Sequence, residues 1–336
     1  MNILVTGGTG FIGGHLVNRL LSQHSPQDIW CLVRPSDNPR EIESLARLRE
    51  AGVSIIEGDL AQPNVTPHTP PAVDRVFHLA ANSDTDATED ELRVNDLGIE
   101  HLLQWLGRSI EGARIVYASS IAVLDRDHPA DGPLNEMSPC VPRTAYGLTK
   151  LRGEEIIRRN AAVCGYQYTI LRLATVYGPG AKTDGLFDSL FKLTSKGSIL
   201  GRLNWPGRTS IVHVEDVAAI MAGLAQREEA SGETFCVANP DAPTVGELAE
   251  HIAHFAPESV SIIHLPDWFW SIGRRLVWNR SLQLLVSSVA KTTAWRLTLI
   301  IDDGFWFDTQ KLQRIWTYPL KDLGDGLAEM LTCRQT

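Results

Sequence analysis

The sequence predicts an α/β fold: a doubly wound parallel sheet with helices on both faces, followed by a smaller, mostly helical C-terminal substrate domain. Two observations lead there. Short apolar runs alternate with helix-period segments through the first half of the chain, the rhythm of βαβ units. A glycine-rich turn, Gly7-Gly8-Thr9-Gly10-Phe11-Ile12-Gly13, stands between the first such run and the first helical segment. Exposed backbone N–H groups and the positive end of a helix dipole then face the turn, an arrangement suited to a phosphate.

In chain order, residues 2–5 form the first expected strand, and residues 11–21 continue with helical spacing. Residues 29–33 are the second strand, 41–51 a helix and 53–57 the third strand. A proline-rich loop covers 63–71, and 73–80 are the fourth strand. Thr88 and Glu91 make a capping box, predicting one helix over 88–108. Residues 114–118 give a fifth strand, 146–164 a long helix and 168–172 a sixth strand. Beyond these, 211–226 read as a strand leading into a helix and 235–238 as a strand. Thr244 and Glu247 form a second capping box. The expected division is a dinucleotide-binding unit at 1–174 plus 209–242 and a substrate unit at 175–208 plus 243–336.

Composition narrows the function. The 336-residue chain has a formal net charge of −9, which leaves no basic footprint for nucleic acid. Its five cysteines are scattered and lack Cys-x-x-Cys spacing, so no disulfide framework or metal site is expected, in keeping with a reducing cytoplasm. The first strand begins at once, with no signal-peptide pattern, and no apolar run is long enough to span a bilayer. A cytoplasmic location follows as the expectation.

Tyr146 and Lys150, four residues apart on one helix, share a face one turn apart. A free phenol, with a pKa near about 10, is a poor base at neutral pH, and a neighbouring cation favours its phenolate. Ser119 and Ser120 end the fifth strand, where parallel sheets present ligand-contacting residues.

With the glycine turn, this constellation resembles the extended short-chain dehydrogenase/reductase family, the NAD-dependent epimerase/dehydratase superfamily, over residues 1 to about 240. The closest flavour is that of 3β-hydroxysteroid dehydrogenases and dihydroflavonol reductases. The resemblance implies a Rossmann-like domain with a catalytic trio. Ser120 would polarise the carbonyl and Tyr146 pass the proton, while Lys150 would hold the nicotinamide ribose and tune Tyr146. It assigns cofactor contacts to Thr6, Gly7, Gly10, Phe11, Ile12 and Gly13, to Asp59 and Leu60, to Leu79, Ala80 and Ala81 after His78, and again to Tyr146 and Lys150. Asn95 resembles the family's helix asparagine. A homodimer through the helices at 89–108 and 146–164 is also implied.

Members using NAD usually carry an acid at the end of the second strand. Here Arg34 and Ser36 stand there, which favours NADP, whose 2′-phosphate a guanidinium can clamp, over NAD. Segments 31–34 and 58–63 also look like the NADPH-using thioester-reductase branch.

For the substrate, three departures from the sugar-nucleotide pattern stand out. Thr175 occupies the usual asparagine place in 172–179, Thr209 the usual arginine place with Arg208 one position early, and Ile121-Ala122 follow Ser120 in place of Asp-Glu. The expectation is a reductase or dehydrogenase of an apolar, steroid-, flavonoid- or lipid-like molecule. A sugar-nucleotide epimerase or dehydratase using the same trio is the alternative, and a cofactor sensor without turnover a third class. Residues 268–300 hold four of the nine tryptophans, five basic side chains and no acid. They read either as a helix pair packed on the core with its arginines in water, or as an apolar mouth in weak contact with an anionic membrane.

Overall fold

The computed structural model describes residues 1–84, 87–125, 131–181, 185–195, 198–255, 261–279, 298 and 300–335. Strands β1 (Ile3–Thr6), β2 (Ile29–Val33), β3 (Ser54–Glu57), β4 (Arg75–His78), β5 (Arg114–Ser120), β6 (Gln167–Leu173) and β9 (Glu233–Val237) form one sheet in the order β3-β2-β1-β4-β5-β6-β9. Every neighbouring pair is parallel. The order reverses between β1 and β4, and parallel sheets open their ligand crevice at such a switch point.

Both faces of the sheet are apolar, as a sheet covered on both sides requires. Alternation along β1 divides the core in two: Ile3 and Val5 belong to one buried cluster and Leu4 to the other. The first cluster lies under α1 (Phe11–Leu21) and α7 (Val214–Leu224), which pack on each other. The second lies under α4 (Leu97–Leu106) and α5 (Ala145–Cys164).

Two differences from the sequence reading matter. The helix expected over 88–108 is broken. A capped turn, α3 (Glu89–Leu92), gives way to a tighter turn at Arg93–Asn95, and α4 begins only at Leu97. Asn95 causes the interruption by turning inward, as described below. Second, β7 (Thr175–Tyr177) and β8 (Ile211–His213) pair with each other in a separate two-stranded sheet. Only β8 was anticipated, as part of a longer strand-helix segment. Other boundaries shift by a residue or two: α2 is Pro39–Glu50, capped by Asn38, and β5 runs two residues further, to Ser120.

A third cluster, including Tyr177, Phe187, Leu190, Leu248 and Leu327, joins α6 (Leu186–Ser195), α8 (Val245–Ala253) and the last helix, Leu323–Gln335. Of the 268–300 stretch, the structure describes α9 (Asp267–Val277), Trp278, Asn279, Thr298 and Ile300. Arg280, Lys291, Trp295 and Arg296, expected in a second helix, lie outside the described residues. No described helix is long and apolar enough to cross a membrane.

Candidate active site

The crevice at the switch point is built first by the glycine turn. Gly7 has φ +74°, and a Cβ there would fall 2.7 Å from the Ala80 amide nitrogen. The turn after β1 therefore lies directly against the chain leaving β4. A Cβ on Gly13 would stand 2.0 Å from the Gly7 carbonyl oxygen, so α1 seats on the turn only with glycine at that position. Gly10, the residue before α1, offers no side-chain cap, and the first turn holds no acid. The positive helix end thus remains open to an anion.

The residues assigned to the cofactor lie at the ends of β1 to β4 and at the start of α1. Thr6 is buried; its hydroxyl accepts from the Ala80 N–H at 3.2 Å and lies 2.7 Å from His78 Nδ1, tying the ends of β1 and β4 together. Phe11 and Ile12 are partly buried on α1, with Phe11 edge-on to His15. Leu79 and Ala80 are half-buried beside the turn and Ala81 is exposed. Asp59 sits past β3, accepting from the Ala61 N–H at 2.9 Å, and Leu60 is buried behind it. Arg34 and Ser36 follow β2. Ser36 accepts from the Asn38 N–H, and the exposed Arg34 guanidinium is paired with Glu41 at 3.2 Å.

The proposed trio meets between β5 and α5. Thr144 caps α5 by accepting from the Gly147 N–H. A Cβ on Gly147 would fall 2.3 Å from the Ala122 carbonyl oxygen, so the first turn of α5 presses on the turn after β5. That contact sets Tyr146 beside Ser120, close enough for the Ser120 hydroxyl to act on the phenol. Ser120 also accepts from the Ala122 N–H. Burial raises the Tyr146 pKa above its ordinary value, and the Ser120 hydroxyl works against that rise.

Lys150 is buried on the inner side of α5. Its ammonium donates to the Ala118 carbonyl at 2.9 Å and lies 5.0 Å from the centre of the Tyr117 ring. It is turned toward the strand, and the shift of Tyr146 is set by burial, opposed by the Ser120 hydroxyl. The same burial pulls the Lys150 pKa down to about 7, with Glu154 opposing.

Asn95, singled out by the resemblance, and two groups that the sequence reading did not assign, Glu154 and Arg172, hold this geometry. Asn95 is buried. Its amide grips Asn82 at both backbone atoms (2.7 and 2.9 Å) and donates to Thr149 on α5 at 3.1 Å, locking the chain after β4 to the trio's helix. Glu154, fully buried one turn beyond Lys150, accepts from Ser119 at 2.6 Å, from Arg172 at 3.0 and 2.9 Å and from Arg158 at 2.8 Å. Arg172 also donates to Cys140 at 3.1 Å. The signal was present: an arginine inside the apolar strand β6 and a carboxylate at the inward spacing of Lys150 both require buried partners.

The residues define a dinucleotide-binding α/β enzyme of the extended short-chain dehydrogenase/reductase class. The chain belongs to the NAD dependent epimerase/dehydratase family, whose model matches residues 3–238. It is 26% identical over 265 residues to the ceramide reductase of Caulobacter vibrioides, covering 79% of this chain and 74% of that one. It is 25% identical over 324 residues to the UDP-glucose 4-epimerase of Vibrio cholerae, covering 90% and 93%. Among solved structures, the dTDP-glucose 4,6-dehydratase DesIV of Streptomyces venezuelae, with NAD bound, superposes with a TM-score of 0.74 at 22% identity, covering 100% of this chain and 97% of that one. The terminal R domain of the myxalamid pathway gives 0.74 at 21%, covering 99% and 90%. These likenesses confirm the fold class and the family.

Proposed function

We propose that the protein is an NAD(P)-dependent oxidoreductase that interconverts a hydroxyl and a carbonyl on an apolar small molecule. The nicotinamide cofactor, when bound, supplies or accepts the hydride. The tight Gly7–Ala80 approach and the uncapped start of α1 fit its pyrophosphate, which Thr6, Gly7, Gly10, Phe11, Ile12 and Gly13 would cradle. Asp59 and Leu60 would border the adenine, and Leu79, Ala80 and Ala81 would line the path between. Ser120 holds the substrate oxygen, and Tyr146 gives that oxygen its proton in reduction or takes it in oxidation. Lys150, released from the Ala118 carbonyl, reaches the ribose and biases Tyr146 toward the phenolate.

NADP is the preferred form in this reading, with Arg34 and Ser36 around the 2′-phosphate. Arg34 must then exchange Glu41 for the phosphate, a stronger charge-assisted partner.

One observation carries the apolar substrate. Where sugar-nucleotide enzymes of this build place an arginine, Thr209 is buried. The neighbouring Arg208 guanidinium lies 5.0 Å from the centre of the Trp306 ring. The likeness to a ceramide reductase supports the same substrate class. A sugar-nucleotide epimerase is the second reading, favoured by the similarity to UDP-glucose 4-epimerase along 90% of the chain.

The test couples mass spectrometry of co-purifying ligands with cofactor turnover. Net NADPH oxidation with a long-chain ketone, and none with UDP-glucose, is the expected result. A retained UDP-sugar with tightly held NAD and no net turnover supports the epimerase instead.

A further inference from the structure

Helix α9 carries two apolar faces, and among the described residues only one packs against the rest of the protein. On the inner face Trp270 is buried, its ring tilted against Trp205 at 5.0 Å and its Nε1 donating to Asn204 at 3.3 Å. Arg274 Nε donates to the Ile301 carbonyl at 3.3 Å, and Trp278 Nε1 to Asp302 at 2.7 Å. These contacts seat the helix without its other side. There Trp268 is 65% exposed, Phe269 44%, Ile272 51% and Leu276 46%. On a helix these four fall within an arc of about 100°.

The exposed patch extends beyond the helix. Ile199 and Leu200 are 66% and 55% exposed, and the Leu200 carbonyl accepts from Nε1 of Trp205, the ring that packs on Trp270. The Ile199–Leu200 turn is thus linked to α9 through one tryptophan pair. Single exposed apolar residues need no explanation, whereas a contiguous group marks a contact surface.

Charge indicates the partner. Arg275 is exposed at the edge of the apolar arc, next to Trp268 by helical position. From 268 to 300 the sequence has five basic side chains and no acid, in a protein of net charge −9. On the described surface the basic side chains of α9 are Arg274 and Arg275 in its last turn, with Asp267 at its start, and on a protein of net charge −9 that basic end favours an anionic surface. Tryptophan and arginine interleaved on a short helix of 11 residues suit the headgroup boundary of a bilayer, where rings enter the apolar layer and guanidinium groups meet phosphate.

We propose that the outer face of α9, with the turn at Ile199–Arg202, is a reversible docking surface for an anionic phospholipid bilayer, the helix lying in the membrane plane. This goes beyond the catalytic reading and does not depend on it, because the test reads no turnover.

The experiment is co-sedimentation of the full chain with phosphatidylglycerol/phosphatidylcholine vesicles and with phosphatidylcholine alone, at low and high salt. Binding is expected to the anionic vesicles at low salt and to fall as salt rises. Arg275→Glu should weaken partitioning by more than about fivefold, since it removes one positive charge near such a surface and adds a negative one. The double variant Trp268→Ser/Ile272→Ser should weaken it about tenfold or more. All are exposed positions, so melting curves and NADPH binding should match wild type. A wild-type chain that stays in solution at low salt overturns the proposal, whether a second copy or its own residues 280–299 cover the face. So does equal, salt-insensitive binding to neutral vesicles, or equal partitioning of the variants and wild type.

Discussion

At the residue scale, Tyr146 bears the heaviest chemical assignment, and the environment found for it is less favourable than the sequence implies. Burial raises its pKa, and the expected counterweight, Lys150, donates to Ala118. In the proposed mechanism, proton transfer would therefore rely on the Ser120 hydroxyl beside Tyr146 and on Lys150 changing partners. Tyr146→Phe removes only the hydroxyl; turnover should fall by about 10²–10⁴-fold with cofactor affinity nearly unchanged. Steady-state rates beside fluorescence titration with NADPH separate the two. A rate within twofold of wild type rules out Tyr146 as the proton carrier. In the proposed reading, cofactor choice turns on Arg34. Arg34→Ala should weaken NADPH about tenfold or more, about 1.4 kcal/mol, and NADH little, since only NADPH presents a phosphate to the guanidinium. Equal losses in the two titrations, or a wild-type preference for NADH, defeat the assignment. Most of these side chains were visible in the sequence because their chemistry is tied to spacing: Tyr146 to Lys150 is one helical turn, and Ser120 ends a strand. The direction in which Lys150 points was not visible. It depends on a carbonyl 32 residues away in sequence, which no local pattern encodes.

At the element scale, the legible parts are those whose pattern is local. The glycine turn, both capping boxes and the apolar strands each carry their own signal, and each forms where expected. The break in the helix after Thr88 could not be read, because Asn95 leaves the helix to satisfy Asn82 and Thr149, partners supplied by the loop after β4 and by α5. Pairing of β7 with β8 escaped for a related reason. Both are three-residue strands, too short to show alternation. The first turn of α1 offers a controlled test of how tightly the cradle is made. Gly13 has no room, with Gly7 O at 2.0 Å from an added Cβ, whereas the nearest atom at Gly14 is 3.9 Å away. Gly13→Ala should cost about 1–3 kcal/mol by overpacking and abolish measurable dinucleotide binding, since the turn must move. Gly14→Ala, in the same helix, should stabilise by about 0.5–1 kcal/mol through helix propensity. Thermal melts with cofactor titration distinguish them. Comparable behaviour of the two variants contradicts the geometry.

At the scale of the whole molecule, a buried charge cluster ties α5 to three neighbouring strands of the sheet. Glu154 on α5 joins Ser119 at the end of β5, Arg172 in β6 and Arg158, which also donates to Thr234 in β9 at 3.0 Å. Through Arg172 and Cys140 the cluster reaches the loop before α5. Desolvation alone would raise the Glu154 pKa; the two bonds from Arg172, the Ser119 hydroxyl and the Arg158 charge outweigh it and hold the carboxyl below its ordinary value. A carboxylate depressed in the folded state stabilises it above the unfolded pKa, near about 4.3, and that contribution is lost as pH falls through the lower folded value. Removing one partner leaves another charge buried and unpaired. Glu154→Leu should therefore destabilise by about 3–5 kcal/mol at neutral pH, because Arg172 has no route to water. The double variant Glu154→Leu/Arg172→Met removes the stranded charge as well and should recover most of that loss, as apolar replacements of buried ion pairs often do. Urea melts of the wild type, both single variants and the double variant, at neutral and acidic pH, complete the cycle. The single-variant deficit should narrow as pH falls, since the wild type itself loses the carboxylate there. A deficit independent of pH, or a double variant no better than Glu154→Leu, would mean that the cluster contributes through packing rather than charge.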